Sequence, residues 1–515
     1  MTEHFPVLIL LVPLFGALIV VLLGRERPDQ CWVTSLISLG VSSLISFFTV
    51  IAVLSGKVQT LRYRMGGWPE SDGYEVGIEL RVDILAALVV FAVTFVGFVN
   101  TIYSKTRAGA EVRGKVPFFY ALIQLLIVGL CGIVMTNDAF NLYVLIEITS
   151  LTSYALIAMG NRRAALSSFN YVIMGTIGAS FYLIGVGYLY IKTGTLNIDD
   201  IRMVLEQKNL WEHQSIIVAF IFIMLGVWTK MAFFPLHGWL PNAYAYAPSM
   251  TGTFMAPLMT KVMVYVMIRV MVWIFGNEFV YSSQPMWGEI VIWMSVLAIV
   301  AGSLLALART DIKKILTYLI VAEVGYMVGG SWLADGVGQA GAFYHILSDA
   351  AMTFCLFIAA SIIVLRVGDS RVNAFDGLFR KMPLTMIGFT VGALSMIGLP
   401  PTCGFFSKWY LISAGIEAGH WGYVCALIFS SLVNAVIFFR IFERAYFGKI
   451  SGVKEDHFPS DSDANPDIRI KEVPWSMLVP LFIASGSVLL LGIMNRSLFE
   501  WIQAALKTAL KIMNT

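Results

Sequence analysis

Long apolar stretches, each about as long as a bilayer requires, alternate along the chain with short polar connectors. A membrane-spanning helix needs about 20 mostly apolar residues. Fourteen stretches meet that description: 5–24, 31–55, 83–103, 117–136, 139–159, 166–191, 215–238, 250–275, 286–308, 312–333, 340–366, 384–418, 421–447 and 473–494. The pattern predicts an all-α integral membrane protein with no soluble domain. The seventh and twelfth stretches contain interior prolines, Pro235 and the Pro400-Pro401 pair, and are expected to break. The segment 497–513 is amphipathic and is expected to lie along a surface. The first stretch lacks a basic flank and an A-x-A site, so it reads as a retained helix and not a cleaved signal.

Composition agrees with this reading. Of the 515 residues 58% are hydrophobic and 13% are charged, against roughly 25% charged in a soluble domain. That excludes a soluble enzyme, and disorder too. A net charge of +3 gives no reason to expect nucleic acid as a partner. The five cysteines (Cys31, Cys131, Cys355, Cys403 and Cys425) form no CxxC, so neither a metal nor a cofactor is expected. Connectors after odd-numbered stretches hold nineteen Lys and Arg residues, and the other connectors with both termini hold ten. The odd connectors are therefore expected in the cytoplasm and both termini outside, in the cell membrane. Segments 57–82 and 192–214 are outward polar connectors. The longest cytoplasmic one, 448–472, is rich in Asp, Ser and Pro and is expected to be mobile.

Five charged residues lie well inside apolar stretches: Glu147, Lys230, Lys261, Glu323 and Lys408. Each costs roughly 2.5–3.5 kcal/mol at mid-bilayer on insertion scales, and such groups usually mark an ion path. The rival reading is a set of buried ion pairs that fix packing. Broken helices at membrane depth occur only where they are buried in protein or line a wet cavity. Paired breaks in two halves point to an inverted-repeat transporter. Spacing supports two halves: 83 and 31 residues separate Glu147, Lys230 and Lys261, and 85 and 32 separate Glu323, Lys408 and Arg440. Stretches 4–8 and 9–13 then form two units of five helices. The organisation expected is 1–116, 117–275, 286–447 and 448–515. His237 follows the first break. His345 and Asp349, one turn apart, face one way on a helix and offer a proton relay.

These residues resemble a known family. RVDILAALVV (81–90), NLYVLIEITSLTSYALIA (141–158), KMAFFPLHGWLPNAYAYAP (230–248), KVMVYVMIR (261–269), DIKKILTYLIVAEVGYM (311–327) and GLPPTCGFFSKW (398–409) are similar to segments of the antiporter-type, proton-translocating subunits. These subunits are shared by Mrp cation/proton antiporters, respiratory complex I and membrane-bound hydrogenases. The resemblance implies fourteen helices with inverted repeats at 4–8 and 9–13. It implies that Glu147 pairs with Lys230, that Lys261 is a connecting lysine, that Lys408 is the terminal lysine, and that His345 is the eleventh-helix histidine. Two departures stand out. Where several relatives read H-A-x-x-K, this chain has Asp349, Ala350, Ala351, Met352 and Thr353, without the lysine. Glu323 stands where relatives often carry an uncharged polar residue or histidine. The stretch 63–83 leans toward the D-type member of Mrp antiporters, and no long lateral helix follows the fourteenth stretch.

The reading expected is an ion-translocating subunit of a multisubunit Na+/H+ antiporter of Mrp type. The alternative is a proton-pumping subunit of a complex I-like oxidoreductase or a hydrogenase, one that moves protons without carrying the redox site. A non-transporting scaffold is the third reading. Other membrane subunits, the lipid bilayer, protons and sodium are the partners implied.

Overall fold

The structure, a computed structural model, describes residues 2–24, 27–56, 59–68, 74–112, 114–160, 162–282, 285–333, 336–448 and 471–512. Each of the fourteen apolar stretches is helical over most of its length. In chain order the helices are α1 (Phe5–Gly24), α2 (Pro28–Leu54), α3 (Ile84–Ser104), α4 (Val116–Met135), α5 (Ala139–Ala158), α6 (Arg162–Thr193), α7 (Gln214–Lys230), α8 (Leu240–Tyr246), α9 (Ser249–Arg269), α10 (Pro285–Leu307), α11 (Ile312–Trp332), α12 (Gly336–Val367), α13 (Pro383–Ile397), α14 (Cys403–Glu417), α15 (Trp421–Phe447), α16 (Trp475–Ile493) and α17 (Asn495–Ile512). Twelve of the described helices are long and apolar enough to cross a membrane. The seventh and twelfth stretches are pairs of shorter helices, α7–α8 and α13–α14. Most of the 448–472 connector lies outside the described residues.

Burial sorts the helices. α9 is buried along its whole length and α11 nearly so, with α12 packed against both. α1, α2, α6 and α10 turn Leu22, Ile37, Ile191 and Trp293 outward, as a lipid surround allows. Aspartates at the polar boundary start three helices by accepting a backbone N–H: Asp83 from Ala86 at 2.8 Å, Asp138 from Asn141 at 2.6 Å and Asp311 from Lys314 at 3.0 Å.

Both breaks follow from local sequence. Pro235 has no N–H and its ring clashes one turn back, so α7 ends at Lys230. The carbonyl of Thr229, left at that end, accepts the Trp239 indole N–H at 3.1 Å. In the second break α13 ends on Gly398, which takes the left-handed conformation (φ 95°) that glycine adopts most easily. Gly404 lets α14 start against α13: a Cβ there would lie 1.9 Å from the Ser395 carbonyl oxygen.

The connector 57–82 holds a feature its polar composition did not predict, a two-stranded antiparallel hairpin. β1 (Leu61–Arg64) pairs with β2 (Glu79–Val82), with Arg62 opposite Arg81. Two like charges in register repel. Asp199, on the short helix Ile198–Gln207, accepts from both, from Arg62 at 3.0 Å. Asn137 donates to the buried Glu79 at 2.8 Å. The hairpin is thus tied to one end of the bundle. Nearby, burial holds the Asp200 carboxyl above its ordinary range, against the Glu75 backbone N–H that favours its charged form.

α17 is the amphipathic segment expected from sequence. Leu498, Ile502 and Leu506 form its buried stripe. It packs on α12, and Phe499 stacks on Tyr410 of α14 with ring centres 3.8 Å apart.

Candidate ion-translocation site

The fold gathers the buried charges into a row through α5, α7, α9, α12, α11 and α14. At one end Lys230, the last residue of α7, places its Nζ 3.3 Å from Glu147 Oε1 and donates to Ser150 Oγ at 2.7 Å. Both acceptors belong to α5. The Lys230 side chain is 5% exposed, but that of Glu147 is 26% exposed. The carboxylate is therefore the member of this pair that reaches the outside of the bundle.

Next along the row, Lys261 of α9 lies 2.9 Å from Asp349 Oδ2 of α12, with side-chain exposures of 2% and 0%. Its Nζ also donates to the Ala256 carbonyl at 3.1 Å. The other Asp349 oxygen accepts the Thr353 hydroxyl at 2.6 Å. Thr353 thus serves to hold the carboxylate facing Lys261.

Deeper in the second half, His345 Nε2 lies 2.6 Å from Glu323 Oε2, and His345 Nδ1 lies 2.8 Å from Ser407 Oγ. All three residues are fully buried. The second Glu323 oxygen has no hydrogen-bond partner. Lys408, the residue after Ser407, donates to the Met396 carbonyl at 2.6 Å and to Ser431 Oγ at 3.4 Å. Its Nζ sits 5.2 Å from the centre of the Tyr326 ring.

Two expectations need correction, the His345–Asp349 relay and the match of Arg440 to Lys261. His345 and Asp349 share a helix face but do not pair. One turn of helix separates their depths, so His345 meets α11 and α14 while Asp349 meets α9. Glu323 does not pair with Lys408 as Glu147 does with Lys230, because the histidine takes its carboxylate. Lys408, just after the second break, is 4% exposed. Its ammonium caps the carbonyl end of α13, sharing the Met396 carbonyl with the Asn434 amide at 3.0 Å, and the helix dipole there favours a cation. Arg440 does not match Lys261: it lies half-buried toward the end of α15, 3.5 Å from the Arg309 carbonyl, and lines a surface groove with Phe439 and Glu443.

His237 packs its ring on Phe234 and edge-on to Tyr318, and neither Lys230 nor Lys261 is among its described contacts. A small cavity beside Lys230 is walled by Leu130, Ile133, Ile146, Met259 and Met263, with the hydroxyl residues Thr149, Ser150 and Tyr171 on the same wall. The space beside Lys230 is therefore mostly apolar but carries hydroxyl groups.

A charge buried within the helix bundle was not singled out from the sequence. Arg269, eight residues beyond Lys261 on α9, is 5% exposed. It donates to the Val134 carbonyl at 3.0 Å and to the Tyr265 hydroxyl at 2.7 Å. The signal was present: six apolar residues, VMVWIF, follow it, so it does not sit at the end of an apolar run.

A many-helix membrane protein with a buried row of paired acids and bases between two broken helices defines the class. The family described as "NADH:quinone oxidoreductase/Mrp antiporter, TM" matches residues 136–434, more than half of the chain, and the chain belongs to it. It is 41% identical over 507 residues to the N subunit of the NADH-quinone oxidoreductase of Desulforudis audaxviator (strain MP104C), covering 97% of this chain and 98% of that one. It is 29% identical over 449 residues to the D-type protein of the Na(+)/H(+) antiporter of Bacillus subtilis (strain 168), covering 87% and 88%. Its fold is that of a chain in the Mrp complex from Dietzia sp. DQ12-45-1b, with a TM-score of 0.86 at 23% identity over 99% and 97% of the two chains.

Proposed function

We propose that this chain is a proton-translocating subunit of a larger membrane assembly. The observation that carries the reading is the row Glu147–Lys230, Lys261–Asp349, Glu323–His345 and Lys408, in which each charge sits where burial alone would be costly. Glu147 acts as the gate. While it lies beside Lys230 it favours the charged lysine, and when it moves away the lysine releases its proton. Water entering the cavity beside Lys230, along the hydroxyls of Thr149, Ser150 and Tyr171, carries that proton to Lys261. From Lys261 the proton passes by way of Asp349 and the Glu323–His345 pair to Lys408, the last carrier.

Of the two hosts, 41% identity over nearly the full length to an oxidoreductase N subunit favours a redox-driven complex of that kind, in which this chain moves protons only. The likeness to the D-type antiporter protein supports the other host, a cation/proton antiporter that exchanges sodium. The location proposed is the plasma membrane, with both termini and the hairpin outward, and with α4–α9 and α10–α15 as two inverted units. The test is Glu147→Gln in vesicles carrying the whole complex. Transport is expected to stop while the complex assembles; wild-type transport sinks the gate. Subunits that co-purify with a tagged chain identify the host: redox subunits are expected, and antiporter subunits alone reverse that choice.

A further inference from the structure

Lys261, Tyr265 and Arg269 recur every four residues on α9 and share one face. They lead from the Lys261–Asp349 pair toward the hairpin end of the bundle, over about 12 Å for eight residues of helix. Beyond Arg269 the ladder continues to Trp273, whose ring centre is 5.8 Å from the guanidinium. Trp273 in turn lines a cavity of about 250 Å3 together with Arg81, Asp83, Trp501, Ala505 and Thr508. That cavity lies between the hairpin, the end of α2 and α17. It is polar on one wall and has room for several waters.

Arg269 therefore stands between a wet vestibule and the ion row. Its guanidinium is incompletely satisfied. Nη1 makes both hydrogen bonds, whereas Nε and Nη2 are buried without a partner. Asp83 and Asp199 act on it electrostatically, and Arg81 acts on the adjoining Tyr265 hydroxyl. Among the described residues no carboxylate pairs with Arg269. A packing role needs only the tie to Val134 and would be served by a neutral donor. An arginine keeps its charge at any working pH, so it cannot pass a proton on. A fixed, unpaired positive charge at a polar constriction excludes protons and other cations.

We propose that Arg269 is a cation barrier that seals a side exit from the row at Lys261, so that ions continue toward Lys408. This inference rests on the reading of Lys261 as part of the path. Without the charge, vestibule water reaches Tyr265, one turn from Lys261. A unit charge about 12 Å away in an effective dielectric near 20 changes cation occupancy about tenfold.

The test uses proteoliposomes holding the whole complex, a pH jump, an internal pH dye and no driving force. Arg269→Gln is expected to speed the passive decay about tenfold or more, while Arg269→Lys stays as tight as the wild type. Adding Ala505→Trp to Arg269→Gln should fill the vestibule and restore tightness, which a bilayer defect would not allow. Decay at the wild-type rate in Arg269→Gln overturns the barrier. So does a leak that Ala505→Trp leaves unchanged. Should Arg269→Gln not assemble, Ala505→Cys in the otherwise wild-type chain decides. An anionic methanethiosulfonate reagent is expected to react several-fold faster than a cationic one, and equal rates refute the proposal. Lys230→Ala, run in parallel under a driving force, separates the two readings. Lost transport there with a tight Arg269→Gln removes only the barrier. Normal transport there with a leaky Arg269→Gln removes the path.

Discussion

Asp349→Asn removes one charge from a deeply buried ion pair and leaves Lys261 without a carboxylate, beside the Ala256 carbonyl. At 2.9 Å and an effective dielectric of 20, the lost attraction is about 6 kcal/mol. Removing one partner of a buried pair costs about 3–5 kcal/mol, and a loss in that range is expected here. Lys261→Met combined with Asp349→Leu leaves neither charge stranded and should recover most of the stability. Unfolding of the purified complex in detergent measures both quantities. Transport should be absent from Asp349→Asn and from the double variant, which separates packing from conduction. A loss below about 1 kcal/mol in Asp349→Asn, or a double variant no more stable than the single, refutes the pair.

Two further outcomes follow from the second half. His345→Ala and Glu323→Gln should each reduce transport strongly, and together no more than either alone, because they share one hydrogen bond; His345→Ala with Asp349→Asn should instead show separate contributions to stability. Comparing single and double variants in both assays checks this. At Lys408, Lys408→Met should lower transport at modest cost in stability, whereas Lys408→Glu sets a carboxylate against the carbonyl end of α13 and should destabilise by about 1–2 kcal/mol more; thermal unfolding of the two variants decides it.

The architecture was legible because lipid imposes a length and a polarity on every span, and both are visible without neighbours. The charged positions were legible for the same reason: Glu147, Lys230, Lys261, Glu323 and Lys408 each interrupt an apolar run. Their pairing was less so. The Glu147–Lys230 contact came from resemblance, and spacing matched Arg440 to Lys261, a match the fold does not bear out. Helical period shows which residues share a face, as His345 and Asp349 do, but not which helix fills the space at each depth. Thr353 could not be understood as a carboxylate anchor until Lys261 was seen opposite. The hairpin was missed because LRYR and ELRV are short and charged on both sides of any alternation. Arg269 was passed over because it closes a motif, although the apolar residues after it place it inside the bundle.

Whether the buried row carries protons decides the rest. Lys230→Ala, with assembly of the complex verified by co-purification, tests this in inverted vesicles with a pH dye while the complex is driven. No proton movement above that of vesicles lacking the chain is expected, since the lysine beside the gate has no substitute on α7. Proton movement at the wild-type rate would contradict a proton path through this row.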